Sequence, residues 1–543
     1  MTFVDDFTTG GPVLYGGALL TAILAIRKII ASQQKQLPLP PGPKGALIVG
    51  NINDLPPPGP PEWQHWIKHK DLYGPISSIT VLGQTIILVH DLDIAEELLV
   101  RRQSNYSSRP QMFFAGEMCG MGHIVTFQNY NRNFKQQRKL AAWQIGSNTA
   151  IRKLHPLIHT HVRRFLFRTL NTPDKYVTNL HATSSSIVLD TLYGYKPNLN
   201  GFDPLVNLVD KMMEAFSEAT AAGVWIVDNI PWLRHFPEWL PGMKFKSIAR
   251  GYNKTVTDTT DVPFEFVVQQ RKRGENRPSY VSGLLDRHER KVMNDNDRAE
   301  ERALIKASAI SLYGGGSDTT VSALAFFFRT MMFHPEVQRK AQEEIDRVIG
   351  NDRLPGFDDR PNLPYVEAVF KESLRFNPIV PAGFPHTVDA DDEYAGYRIP
   401  KGAMVVPSIQ WFSRDPKIYS DPEVFNPERF LKQQPELHPK KFVFGFGRRI
   451  CPGQQLADAS TFLTIAQTLA VFDIKKPVDP VTGLDIEPSM GSTPGTVSHP
   501  LPFKCTFTPR NEKCKELIMR AEQEIVEEGD GDAKIVDELE LID

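Results

Sequence analysis

The chain has 543 residues, 41% of them hydrophobic and 23% charged, and its 62 basic and 64 acidic side chains leave a formal net charge of −2. That length exceeds a typical single domain of roughly 100–200 residues, and the balanced charge argues against bulk nucleic-acid binding. Four cysteines (Cys119, Cys451, Cys505 and Cys514) show no C-x-x-C spacing, which argues against a disulfide scaffold and a zinc site and fits a reducing, cytosolic setting for the folded part.

In chain order, the first feature is an uncharged run from Pro12 to Ile26, preceded by Asp5 and Asp6 and followed by Arg27 and Lys28. A membrane-spanning helix needs about 20 mostly apolar residues, so this run spans a bilayer only if Arg27 and Lys28 snorkel. Residues 1–36 are read as an N-terminal membrane anchor. Positive charge behind the run predicts that the remainder stays on the cytosolic side. A cleaved signal peptide is the competitor; the acidic start and the lack of a clean small-x-small cleavage site count against it. Residues 37–45 read as a proline-rich hinge. Pro38, Pro40, Pro41 and Pro43 impose a stiff, extended path that aims the globular part relative to the membrane.

Residues 46–510 form the main domain. Residues 79–90 (ITVLGQTIILVH) predict a β-hairpin turning at Gly83 and Gln84, and residues 91–103 a helix capped by Asp91 or Asp93. Helical periodicity dominates about 135–350. Within it, residues 303–334 read as one long helix interrupted by Gly314, Gly315 and Gly316, then Ser317, Asp318, Thr319 and Thr320. Three glycines there cost about 1 kcal/mol each relative to alanine. They would let a flat ligand approach the backbone and let the helix open, with the polar residues beyond them facing a pocket. Next, KESLRF places Glu372 and Arg375 three apart on one helix face, where they can pair. Short strands return around 384–407. No P-loop and no strand–GxGxxG–helix unit is present, so any electrons must come from a separate protein. Residues 511–543 form an acidic tail, expected to be partly helical, partly disordered and solvated.

The most informative stretch is FGFGRRICPGQQLAD, beginning at Phe444. Phe444, Gly447, Arg449, Cys451 and Gly453 fit F-x-x-G-x-R-x-C-x-G. The glycines permit a tight turn close to a flat ligand. Pro452 follows the cysteine at a helix start, where its missing N–H costs nothing. The N–H groups of Gly453 and Gln454 then point back at the sulfur and favour a thiolate. Arg449 can neutralise a ligand carboxylate.

Taken together, these motifs resemble those of the cytochrome P450 superfamily, from about Pro38 to Arg510, and look most like its fungal microsomal members, similar to sterigmatocystin-pathway oxidoreductases. The resemblance implies a mainly α fold with a small β-rich lobe. It implies haem b, with Cys451 as the iron ligand, since a thiolate pushes electron density onto the metal and favours O–O cleavage. It implies that Gly315 and Gly316 flank the cofactor and that Thr319 and Asp318 guide protons. It further implies a structural network of Glu372, Arg375 and Arg429, the last from FNPERF. The haem carboxylates would be met by Arg138, His386 and Arg449. Where the family has a tryptophan this chain has Phe134, which lacks the indole N–H; a water, Asn131 or Asn133 is expected to substitute. Phe113, Phe114, Met118, Met121, Val380, Met490 and Thr493 are expected to line an apolar substrate cavity.

The expected activity is monooxygenation of an apolar small molecule, a secondary metabolite or xenobiotic, with NADPH consumed by a separate cytochrome P450 reductase and with cytochrome b5 as a second possible electron donor. Lys440, Lys441 and Arg448 are the expected docking residues, and the endoplasmic reticulum membrane is the expected location. The alternatives are a haem-thiolate isomerase or dehydratase, whose members tend to lose the acid–alcohol pair kept here, and a non-enzymatic haem sensor.

Overall fold

The computed structural model describes residues 37–57, 59–198, 203–221, 224–525 and 532–537. The expected anchor lies outside them, and among the described residues no helix is long and apolar enough to cross a membrane. The proline-rich segment lies along the sheet rather than running free. Ser78 donates its hydroxyl to the Pro40 carbonyl at 2.6 Å and its N–H to Pro41, and the Arg398 N–H reaches the Pro38 carbonyl at 2.8 Å. Prolines suit an edge that is asked only for acceptors.

Strands β1 (Ile76–Val81) and β2 (Gln84–Val89) form the expected hairpin, with Ile76 opposite Val89 and Val81 opposite Gln84. Its turn is Leu82–Gly83, one residue earlier than expected. Both have positive φ, 49° and 86°, the hairpin geometry whose twist matches the strands. Strands β3 (His386–Thr387), β4 (Asp392–Tyr394), β5 (Tyr397–Ile399) and β6 (Met404–Pro407) follow. The main sheet has the order β1-β2-β6-β3, β6 running parallel to β2 and antiparallel to β3, while β4 and β5 form their own hairpin. Asp91 is the cap after β2: its carboxylate accepts the N–H groups of Asp93 and Ile94. The helix there is α-helical only over Leu92–Glu96, then widens into a π-turn over Glu97–Arg101.

The helical layer comprises α1 (Arg132–Ile145), α2 (His155–Asn171), α3 (Tyr176–Tyr193), α4 (Pro204–Ala219), α5 (Phe245–Arg273), α6 (Tyr280–Glu289), α7 (Asp295–Phe333), α8 (Pro335–Ile349), α9 (Pro364–Phe376) and α10 (Gln454–Val471). Helix α7 starts well before the expected residue 303. Asn294 caps it by accepting the Asp297 N–H at 2.8 Å, and Asp295 and Asp297 place negative charge at its positive end. It runs unbroken through the three glycines. A Cβ on Gly314 would lie 2.4 Å from Met212 Cε of α4, and one on Gly316 2.8 Å from Val188 Cγ2 of α3. Close packing of α3 and α4 at these positions outweighs the glycine cost.

The first half of α7 joins α3, α4, α5 and α6 in one core. Its second half joins α2, α8, α9 and α10 in another, which also takes in strands β7 (Phe472–Lys475) and β8 (Thr506–Pro509). A third core lies under the sheet. The described parts of the tail are helical, as expected, but one face is packed rather than solvated. Helix α11 (Glu512–Gln523) buries Cys514, Leu517 and Ile518 in the second core. Before α12 (Ala533–Asp537), Asp532 accepts the Lys196 N–H at 2.7 Å and two bonds from Arg277 at 2.5 and 3.1 Å. That acid is paired by the body of the protein, which composition could not reveal.

Candidate active site

Cys451 sits between the short helical turn Gly447–Arg449 and the start of α10. Gly447 has φ +51°, and a Cβ there would lie 2.3 Å from the Leu99 carbonyl oxygen, so no other residue fits without a shift. The Cys451 N–H donates to the Phe444 carbonyl at 2.8 Å, which pins the loop across its base. Burial pushes the Cys451 thiol up, while the backbone N–H of Gly453, the charge of Arg138 and the N–H of Gln454 pull it down. Burial wins, so a metal cation is what would displace the proton and make the thiolate. Cys119, Cys505 and Cys514 are buried in the packed cores and do not line the cavity.

That cavity has a volume of about 320 Å³. Phe444, Cys451, Gly453 and Arg449 line one side, Gly315, Gly316, Thr319 and Thr320 of α7 another, and Arg109, Arg138 and His386 its polar end. A larger groove of about 1350 Å³, polar along α1 and the start of α7, shares Arg109 with it but does not reach Cys451.

The polar end is a cluster of cations with no Asp or Glu in its lining among the described residues. Arg449 donates to the carbonyls of Ser107, Val125 and Gln128 at 2.6, 3.2 and 2.5 Å, and its guanidinium lies 3.9 Å from the centre of the Phe134 ring. Phe134 therefore gives Arg449 an aromatic face. The two asparagines expected as substitutes for the indole N–H do not serve: Asn131 caps α1 by accepting the Phe134 N–H, and Asn131 and Asn133 line the outer groove instead. Arg138 has no hydrogen-bond partner among the described residues. Arg109, which the sequence reading missed, donates to the carbonyls of Phe384 and Pro385 at 3.0 and 2.6 Å, and its Nε is buried without an acceptor. Its signal was available: Arg109 is the sole Lys or Arg between Arg102 and Arg132. Burial lowers the pKa of all three arginines, that of Arg449 to about 10. His386 donates Nδ1–H to the Tyr106 carbonyl at 2.7 Å; burial and then Arg109 hold it neutral, so it meets a carboxylate as a cation only by gaining a second proton.

This donor set fits haem. The buried, anion-seeking arginines match its two carboxylates, the Cys451 loop matches its iron, and Gly315 leaves a flat approach where a Cβ would meet nothing within 4 Å. Gly316 also lines the cavity, but its missing side chain is required by Val188.

The expected ion network is assembled and fully buried. Arg375 makes two bonds of 2.7 Å to Glu372, and Arg429 adds one of 3.1 Å. The remaining donors of both arginines go to the carbonyls of Ser413, Ser420, Asp421, Pro422 and Val424 and to Glu436. Glu436, unforeseen, is a fourth member. Burial would raise it, but hydrogen bonds from Ser420, Arg429 and Lys432 bring it down to about 2. The network fixes the chain that leads into the Cys451 loop.

On α7, the Thr319 hydroxyl donates to the Gly315 carbonyl at 2.8 Å and faces the cavity with Thr320. Asp318 does not line the cavity: it turns away and pairs with His499 at 3.0 Å. Of the expected substrate contacts, Val380 alone lines the cavity. Phe114 and Met121 are core, Phe113 and Met118 pack against that core, Met490 is exposed and Thr493 closes a turn with His499. Ile124, Met212, Met213, Phe216, Phe384 and Val497 supply the apolar wall instead.

A profile of the cytochrome P450 family matches residues 40–507. The chain is similar to the cytochrome P450 monooxygenase claR of Ampulloclitocybe clavipes (47% identity, covering 88% of each chain). It is also similar to the cytochrome P450 monooxygenase ppsD of Aspergillus oryzae (43% identity, 93% of this chain and 94% of the relative) and to the O-methylsterigmatocystin oxidoreductase of Aspergillus flavus (38% identity, 94% and 95%).

Proposed function

The chain belongs to the cytochrome P450 family of monooxygenases, and we propose that it inserts one oxygen atom of O2 into an apolar small molecule, a secondary metabolite or xenobiotic, with electrons passed from NADPH through a separate flavoprotein reductase. The overall change is R–H + O2 + two electrons + two protons giving R–OH + H2O. The observation that carries this reading is Cys451 at the wall of a cavity whose polar end holds Arg109, Arg138 and Arg449 and, among the described residues, no carboxylate.

Haem b, when bound, supplies the iron at which dioxygen is activated. Cys451 is its protein ligand, and Arg109, Arg138, Arg449 and a protonated His386 hold its carboxylates. Ile124, Met212, Met213, Phe216, Val380 and Val497 exclude water and orient an apolar substrate by contact. The Thr319 hydroxyl leaves the Gly315 carbonyl to hold a proton donor's partner in the cavity, and Asp318 carries protons inward. The reductase docks electrostatically at Lys441 and Arg448; Lys440 is taken by its ion pair with Asp458. Residues 1–36 tether the domain to the cytosolic face of the endoplasmic reticulum membrane, where the reductase also resides in this reading.

The test begins with a panel of apolar small molecules screened for a change in haem spin state. A hit is then incubated with NADPH, reductase and ¹⁸O-labelled dioxygen. One labelled oxygen in the product is expected. Label entering from water instead, or turnover without NADPH, overturns the proposal.

A further inference from the structure

We propose that His499 loads protons onto Asp318 and positions it, as the outer member of a histidine–aspartate relay into the cavity. The inference rests on the reading of Asp318 as a proton carrier.

His499 Nε2 lies 3.0 Å from Asp318 Oδ2, and the two side chains keep 28% and 18% of their exposure. The pair therefore joins partly solvated surface to the helix turn that carries Thr319 and Thr320. The histidine is held from both sides. Its N–H donates to Thr493 Oγ1 at 3.0 Å and its carbonyl accepts the Thr493 N–H at 2.8 Å. Next to it, the Ser498 carbonyl accepts the Ser322 hydroxyl at 2.5 Å and the Ser498 N–H reaches the Ile379 carbonyl. Arg329, further along α7, clamps the carbonyls of Ser489 and Gly491. The loop bearing His499 is thus fastened to α7.

A second such pair stands on the other side. His181 of α3 lies 3.6 Å from Asp210 of α4. Burial would lower the His181 pKa, yet Asp210 and then Asp318 raise it. Among the described residues, the charged and titratable groups shown to face Asp318 besides His499 are His181 from α3 and, through it, Asp210 from α4.

An ordinary aspartate, with a pKa near 3.9, carries almost no proton at neutral pH. An imidazole titrates close to neutrality and is matched to the task. In the relay, His499 takes a proton from solvent, Nε2–H passes one to Asp318 Oδ2, and Asp318 turns toward Thr319 to release it. One proton enters and one leaves, and no electron moves. This also explains why Asp318 rests outside the cavity: its loading position is at His499.

Two measurements on the haem-loaded protein test the relay. In the diamagnetic ferrous–CO form, the ¹⁵N-histidine NMR ring signals of His499 should change in Asp318→Asn, since the neighbouring carboxylate is lost. With reductase, NADPH and 7-ethoxycoumarin as an apolar probe, the fraction of NADPH recovered as hydrogen peroxide is then followed from about pH 6 to about pH 8.5. That fraction is readable whether or not the probe is oxidised. In the wild type it should rise with pH across this range, as expected of a relay that depends on an imidazole. His499→Gln keeps a donor for Asp318 but cannot titrate, so the step should vanish and the fraction stay high throughout, with the ferrous–CO spectrum unchanged. A retained step in His499→Gln, or unchanged His499 ring signals in Asp318→Asn, overturns the relay. Failure of the underlying reading looks different: Asp318→Asn itself would then match the wild type in peroxide fraction and turnover.

Discussion

Glu372 is one carboxylate that organises three stretches of chain: α9 through Arg375, the segment at 420–424 through carbonyls held by Arg375 and Arg429, and Glu436 through Arg429. Removing one partner of such a buried network costs about 3–5 kcal/mol, because a charge is left unpaired. Glu372→Ala should yield little haem-loaded protein, seen as a low Soret-to-protein absorbance ratio. A wild-type ratio would make the pair an ordinary bridge. Glu372, Arg375, Arg429 and Cys451 were legible because each sits in a short motif whose spacing is itself the geometry. Arg109 and His499 were missed because they meet their partners across long sequence separations, the former despite being an isolated basic residue; Glu436 was missed because no motif marks it, although Arg429 and Lys432 lie only seven and four residues away. Phe113, Phe114, Met118 and Met121 were misassigned because the chain there adopts a π-turn over Phe113–Met118 and then a short 3-10 turn over Met121–His123, which direct these side chains to the core.

At the scale of elements, the hairpin, the polar-capped central helix and the helix at Glu372 follow from local pattern. The three glycines of α7 looked alike in sequence and are not alike in space. Gly314 and Gly316 admit Met212 and Val188, and Gly315 faces the cavity. Only the placement of α3 and α4 separates these roles. Likewise, prolines 38–43 read as a stiff hinge aiming the domain, and nothing local shows that Ser78 and Arg398 will bond to their carbonyls.

For the whole molecule, buried neutral histidines set the response to acid. Burial lowers His90 to about 3, His159 to about 4 and His438 to about 4, and both ring nitrogens of His90 lack hydrogen-bond partners. In the unfolded chain each titrates near 6.5. As pH falls below about 6.5 the unfolded state takes up protons that the folded state refuses, so stability is full above that pH and is lost toward about pH 4. The urea midpoint should therefore drop between about pH 7.5 and about pH 5, and the drop should shrink in His90→Phe; an unchanged midpoint would contradict this. The central claim, that Cys451 presents a thiolate to haem iron, has a direct optical test. The ferrous–CO form of the wild type should show the strongly red-shifted Soret band of a thiolate-ligated haem, Cys451→Ala should lose it, and alanine variants of Cys119, Cys505 and Cys514 should keep it. Persistence of that band in Cys451→Ala would contradict the assignment.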